Sequence, residues 1–475
     1  MYFIRKLVST GALLFIALCS HAQHQELNEH PKTWNGEKTL SQDTTSFLSA
    51  FSRGKFTGHF RYFYMNTNNE KGLSDYHAQA AGGGLQYHTA LFHGFQFGVS
   101  GFFVFNVGSS NLTIPDSSTK QLNRYEIGLY DITDPSNTKN IDRLEELFIR
   151  YSKYNITLTV GRQLMNTPFI NLQDGRMRPT EIEGVDGIYK KKKTKIEAAY
   201  IYQLSPRSTV EWYNIGESIG LYPSGVNQDG TKSQYKGNLE SKGILLGGIS
   251  QEVGKEIKLQ LWNQFTENIF NSVFFQADYS RVLKNKSKLI AGFQTIHQQI
   301  IHHGGNEDPT KTYFQKGASS HTYGAKFGWE NKRWQFSANY NRITKHGRYL
   351  MPREWGRDPF FTFLPRERNE GLGNVHAYVV KGGYAIPKQP LKIQAAWGYY
   401  QLPDPTNFEL NKYGMPSYSQ LNIDLRYELQ GFFKGWDLQV LYVNKESQGH
   451  THNNNKYVIN KVNMDQWNLV LNFHY

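Results

Sequence analysis

Along most of the chain, apolar and other residues alternate at period two, which predicts strands whose two faces meet different surroundings. Phe56, Phe60, Tyr62 and Tyr64 share one parity, while Thr57, His59 and Arg61 take the other. The longest run is Phe95, Phe97, Val99, Gly101, Phe103, Phe105 and Val107. Further stripes are Leu147/Ile149/Tyr151, Tyr323/Ala325/Phe327/Trp329, Leu391/Ile393/Ala395/Trp397/Tyr399 and Trp467/Leu469/Leu471/Phe473/Tyr475. Aromatics gather at the ends of these stripes, at Tyr62/Tyr64, Trp329, Trp334, Tyr399 and Tyr427, where a membrane-interface girdle would lie.

Short connections alternate with long polar ones. The short ones fall near residues 91–94, 152–155, 190–194, 252–255, 283–286, 330–333, 386–389 and 431–435. Long ones fall near 107–142, 164–183, 205–242, 302–319, 344–374, 402–417 and 445–455. Hairpins in series with one strand at each end predict an all-β chain, a transmembrane antiparallel barrel of roughly 18 strands. The short turns would be periplasmic and the long loops extracellular. Closure has a physical reason, because an open sheet edge in hydrocarbon leaves backbone groups unpaired.

Composition agrees once the polar average is understood. Mean hydropathy is −0.59 although aromatics make up 15% of the 475 residues. A polar lumen and long loops, averaged with a thin apolar stripe, give that combination. Arg5 and Lys6, the apolar stretch Leu7–Leu18 and Ser20-His21-Ala22 form an export signal, with cleavage expected after Ala22. Leu18 before Cys19 argues against the lipoprotein alternative. Cleavage would remove the single cysteine and leave +11 of the +13 formal charge. The expected organisation is a signal over 1–22, a periplasmic lead-in over 23–54 and a barrel over 55–475, in the outer membrane of a Gram-negative bacterium. The stripe ending at Tyr475 is the expected handle for the barrel-assembly machinery.

The segment Gly161-Arg162-Gln163-Leu164-Met165-Asn166-Thr167-Pro168, followed by Asp174, Arg176, Pro179, Glu183 and Gly184, resembles the OprD-type specific porin family. Ser205-Pro206-Arg207-Ser208-Thr209, Arg353-Glu354-Trp355-Gly356-Arg357-Asp358-Pro359 and Gly54–Tyr64 with Arg61 are also similar to it. The resemblance implies an 18-stranded barrel that admits small water-soluble solutes, often carboxylates, past an inward-folded loop and a ladder of basic side chains. The run Lys190-Lys191-Lys192-Lys193 and the histidine-rich loops depart from that pattern, which leaves the solute class open.

Parity and loop position then single out candidates for a solute pathway. Arg61, Arg150 and Arg426 have inward parity; Arg176, Arg178 and Arg207 lie in long loops beside strand ends. Arginine suits such a pathway because its planar fork stays charged and pairs with carboxylates. Asp174 and Asp424 would supply opposing charge. Arg162 shares parity with Leu158 and Val160, so parity points it to lipid while the motif points it to the constriction. The bland reading of each arginine is a cross-lumen ion pair or a solvated loop charge. His297, His302, His303, His450 and His452 read as exposed loop residues rather than metal ligands, and Gly82-Gly83-Gly84 as a softened strand rather than a phosphate loop. The expectation is facilitated diffusion of small polar, carboxylate-bearing solutes, with no catalysis, no cofactor, no metal and no nucleic acid. An adhesin or glycan-binding barrel acting through its loops is the alternative, with a barrel hydrolase behind it. The sequence leaves monomer against trimer open.

Overall fold

The computed structural model describes residues 43–173 and 175–475. The expected export signal, most of the lead-in and Asp174 lie outside the described residues. A short helix, Phe47–Ser52, is capped by the Ser46 side chain and leads into the first strand. Nineteen strands follow: β1 (Lys55–Asn68), β2 (Tyr76–His88), β3 (Phe95–Ser109), β4 (Ile141–Lys153), β5 (Ile156–Gln163), β6 (Glu181–Lys191), β7 (Thr194–Ser205), β8 (Tyr213–Asn214), β9 (Ile244–Val253), β10 (Ile257–Thr266), β11 (Phe270–Val282), β12 (Lys288–Ile300), β13 (Ser319–Glu330), β14 (Trp334–Ile343), β15 (Val375–Ala385), β16 (Leu391–Gln401), β17 (Tyr418–Glu428), β18 (Trp436–Ser447) and β19 (Met464–His474).

Apart from the two-residue β8, each strand pairs antiparallel with the next strand along the chain, and β1 pairs with β19 to close the wall, with Arg61 opposite Asn472. The two-residue β8 adds a short pairing to the end of β7, which continues the wall through β9. The barrel therefore has the expected 18 strands. Its eight short turns fall at the eight predicted positions, at the same end as Lys55 and His474. No helix among the described residues is long and apolar enough to cross a membrane; here the strands do so.

Outward positions carry the predicted stripes. Phe103, Phe105 and Phe327 are 56, 61 and 62% exposed, far more than a folded chain leaves to water without a lipid partner. The parity slips where the sheet bulges. Between Val99 and Gly101 the register with β4 shifts, so the consecutive Glu145 and Glu146 are both buried on the inner side.

The inner wall is not uniformly polar, contrary to the expectation from a water-filled lumen. Towards the long-loop end it presents Phe102, Ile182, Ile244, Phe274, Val375 and Tyr418, all buried. Loops fold down onto these residues and form two apolar cores. One joins Tyr125, Ile127, Leu129 and Met177 to strands β1–β4 and β19. The larger joins Phe169, Ile170, Tyr349, Trp355 and Leu364 to strands across the rest of the barrel. Gly82 belongs to the first: a Cβ there would meet Met177 and the Phe103 carbonyl, so the glycine admits the loop.

Candidate functional site

Four loops build the site: 110–140, 164–180, 206–243 and 344–374. Inward glutamines and asparagines seat the last of them. Gln294 of β12 donates to the Pro359 carbonyl at 2.8 Å and accepts from the Phe361 amide at 2.9 Å. Gln298 makes the same pair of bonds with Leu350. Further round the wall Gln420 and Asn422 of β17 both donate to the Pro365 carbonyl, and Lys445 of β18 donates to the Arg366 carbonyl at 2.7 Å. The loop is thus fastened to the inner wall at several points from β12 to β18.

Loop 164–180 meets it there. The Asn171 amide donates to the Trp355 carbonyl at 3.2 Å, and its side chain donates to the Arg357 carbonyl and accepts from the Arg357 amide. Glu354 accepts from the amides of Gly220 and Tyr222, which brings in loop 206–243. Ser208 Oγ donates to the Gly128 carbonyl at 2.8 Å, which ties in loop 110–140.

Between these loops lies a cavity of about 620 Å³, part of it continuous with solvent. Arg124, Arg176, Arg207, Arg353, Arg366 and Arg368 line it, with Glu367 as the single lining carboxyl. Burial, then the neighbouring Arg366 and Arg207, holds the Arg176 guanidinium well below its usual range. Burial likewise lowers Arg366 to about 10. Burial and the Asp358 carboxylate push Glu367 up to about 8, so this carboxyl does not neutralise the cavity at neutral pH.

The predicted residues divide among several places. Arg176 and Arg207 line the cavity. Arg61 faces inward but is fully buried, donating to Asn472 Oδ1 and to the Arg176 carbonyl, both at 2.6 Å, and so ties a loop to the wall. Arg178 donates to the Thr209 carbonyl at 2.8 Å and lies 3.9 Å from Glu145; beside it Arg143 pairs with Glu145 at 2.9 Å. Both of these arginines hold loop backbone rather than facing the cavity.

Arg150 faces inward near the short-turn end, with Nε 3.1 Å from Thr159 Oγ1. Arg426 also faces inward there, paired with the buried Asp424 at 3.0 Å. Arg162 sits opposite the outward Leu147 in the β4–β5 ladder, pairs with Glu183 at 2.9 Å and lies over the Trp212 ring. That is the outer face of the wall, so parity rather than the motif sets its direction, and Gly161 with φ 114° carries the local distortion.

Arg124, Arg366 and Arg368 were not among the sequence candidates. The run Pro365-Arg366-Glu367-Arg368 is a charge cluster that could have drawn attention; Arg124 had no such signal. Among the described residues no group of three or more His, Cys, Asp or Glu could hold a metal ion. His297 is on a strand rather than in a loop, its Nδ1 3.2 Å from that of His321 on the outer face. His452 pairs with Asp404 at 2.9 Å, joining two loops.

A model of the outer membrane porin, OprD family, matches residues 50–361, more than half of the chain. The chain belongs to the OprD family of outer-membrane porins. Solved structures share the fold at low identity. OccAB2 of Acinetobacter baumannii matches with a TM-score of 0.70 at 13% identity, over 90% of this chain and 99% of that one. OccAB4 of the same organism gives 0.69 at 14%, over 89% and 98%. OpdK of Pseudomonas aeruginosa, solved with vanillate, gives 0.69 at 12%, over 90% and 99%. No curated protein matches the sequence. As an OprD-family porin the chain is an outer-membrane channel for small solutes in a Gram-negative bacterium, and its outward stripes contact outer-membrane lipid.

Proposed function

We propose that this porin conducts small anionic solutes, carboxylates foremost, by facilitated diffusion down their gradient, with the arginine-lined cavity as its selective constriction. The observation that carries this reading is the gathering of six guanidiniums from four loops around one cavity with a single lining carboxyl. A site that must attract a solute and still release it works by fixed charge rather than by tight enclosure. Field focusing in a low-dielectric mouth raises the local concentration of anions and excludes cations. Arg150 and the Arg426–Asp424 pair, lower in the lumen, extend the charged path towards the short turns. Vanillate, held by the similar OpdK, is itself a carboxylate.

No covalent step is involved. In this reading residues 1–22 act as a cleaved export signal, and the stripe ending at Tyr475 engages the barrel-assembly machinery. Swelling of proteoliposomes in isosmotic solutes of matched size tests the proposal. Anionic solutes are expected to enter fastest, neutral ones more slowly and cationic ones slowest. Faster entry of cationic solutes would contradict it, and loop-dependent glycan binding without any swelling would favour the adhesin.

A further inference from the structure

The cavity concentrates more positive charge than one carboxylate can answer. Arg353 and Arg368 have acids of their own, Glu370 at 3.6 Å and Asp358 at 4.0 Å. Arg124, Arg176, Arg207 and Arg366 form no ion pair with any described residue. Their partners are neutral: the Asn460 carbonyl for Arg124, the Gly175 carbonyl for Arg176, the Gln173 amide oxygen for Arg207, and Gln466 and Asn468 for Arg366.

Two of these side chains are also incompletely satisfied. The Nε atoms of Arg176 and Arg207 are buried and have no hydrogen-bond partner, although each residue is only 8% exposed. A buried N–H without an acceptor is costly, and a buried charge without a counter-charge more so. An anion in the cavity supplies the counter-charge that these guanidiniums lack, through the parts of them that line it. One carboxylate has two oxygens and is matched by a single guanidinium fork, which would leave the other guanidiniums without a counter-charge.

We infer that the cavity is matched to doubly charged oxyanions, a dicarboxylate or a phosphate monoester, with Arg176 and Arg207 each taking part of the charge and Arg124 and Arg366 adding to the field. This rests on the cavity being the constriction of an anion-conducting pore. Glu367, held neutral at neutral pH, leaves the surplus positive charge uncancelled. Gly128 is part of the arrangement: a Cβ there would overlap the Arg176 guanidinium, so the missing side chain is what lets Arg176 lie where it does.

The test is interruption of the chloride current through single channels in planar bilayers near neutral pH. Succinate, methyl phosphate and propionate are added separately. Succinate, methyl phosphate or both should halve the current at roughly tenfold lower concentration than propionate, the gain from one further charge-assisted contact. Which of the two acts separates a dicarboxylate from a phosphate site, and either supports the inference. The advantage should shrink in Arg207→Gln, and also in Gly128→Ala, which displaces Arg176 without changing the charge. Heat-dependent gel mobility establishes that each variant is a folded barrel, and the comparison within the wild type needs no variant at all. Equal potency of propionate and both dianions overturns the inference while a chloride-selective current leaves the anion-porin reading intact. A current that is not chloride-selective overturns that reading, and the inference with it.

Discussion

The Arg61 guanidinium, on a wall strand, donates to the main-chain carbonyl of Arg176, in an in-folded loop, at 2.6 Å. The bond runs from barrel to loop, so Arg61 holds the element that carries Arg176 rather than meeting solute itself. A charge-assisted bond of this kind is worth about 2 kcal/mol. Arg61→Ala should therefore loosen loop 164–180. In single-channel recordings, current noise should rise and mean conductance increase, with anion preference reduced only modestly. A quiet channel with sharply lost anion preference would place Arg61 in the solute path instead.

The Asn171 side chain fastens the two crossing loops through both its donor and its acceptor. Asn171→Leu keeps the bulk and removes both bonds, leaving the Arg357 amide and carbonyl without these partners, at a cost of about 1–3 kcal/mol each if they stay buried. Limited proteolysis of intact proteoliposomes should then cut within 344–374 faster than in the wild type. Unchanged cleavage would show that the apolar core around Trp355 holds the loop without help.

Arg162 lies outside the wall with Glu183 and Trp212. Arg162→Ala should leave ion selectivity unaltered, and a partly exposed pair of this kind should contribute no more than about 1 kcal/mol to stability. A shift of the zero-current potential as large as that of a cavity arginine would refute this placement.

Selectivity should fall as the solution becomes alkaline. Burial and Asp358 raise Glu367 to about 8, so it gains negative charge as pH passes that value. Lys412, enclosed by the rings of Tyr235, Tyr313 and Tyr413 and lying 3.6 Å from Glu370, is lowered by burial to about 8 and loses its positive charge in the same window. Both changes make the loops less cationic. Anion preference should hold between about pH 5.5 and 7 and decline between about 7 and 9.5, with less decline in Glu367→Gln. A flat profile across the whole range would contradict the assigned charge states.

The wall was legible in the sequence because hydrocarbon imposes one rule on every strand. Phe60 next to Arg61, or Ile149 next to Arg150, gives direction at a glance, and the short turns punctuate the pattern. Even Arg162 followed parity against the motif. The loop architecture was not legible in the same way. Inward Ile182, Ile244 and Val375 read as departures from a polar lumen until loops are seen to cover them. Arg124 and Arg366 are far apart in sequence and meet only because separate loops cross the lumen, an arrangement with no local periodicity. Parity gives Arg61 an inward direction, but its service to a loop carbonyl depends on a contact 115 positions away.

The most direct test is the zero-current potential across a planar bilayer under a potassium chloride gradient, for the wild type and for Arg176→Gln with Arg207→Gln. The wild type should show chloride preference, and the double variant should lose most of it while remaining a folded, conducting barrel. Chloride preference undiminished in the double variant, or absent from the wild type, would contradict the assignment of this cavity as the anion-selective constriction.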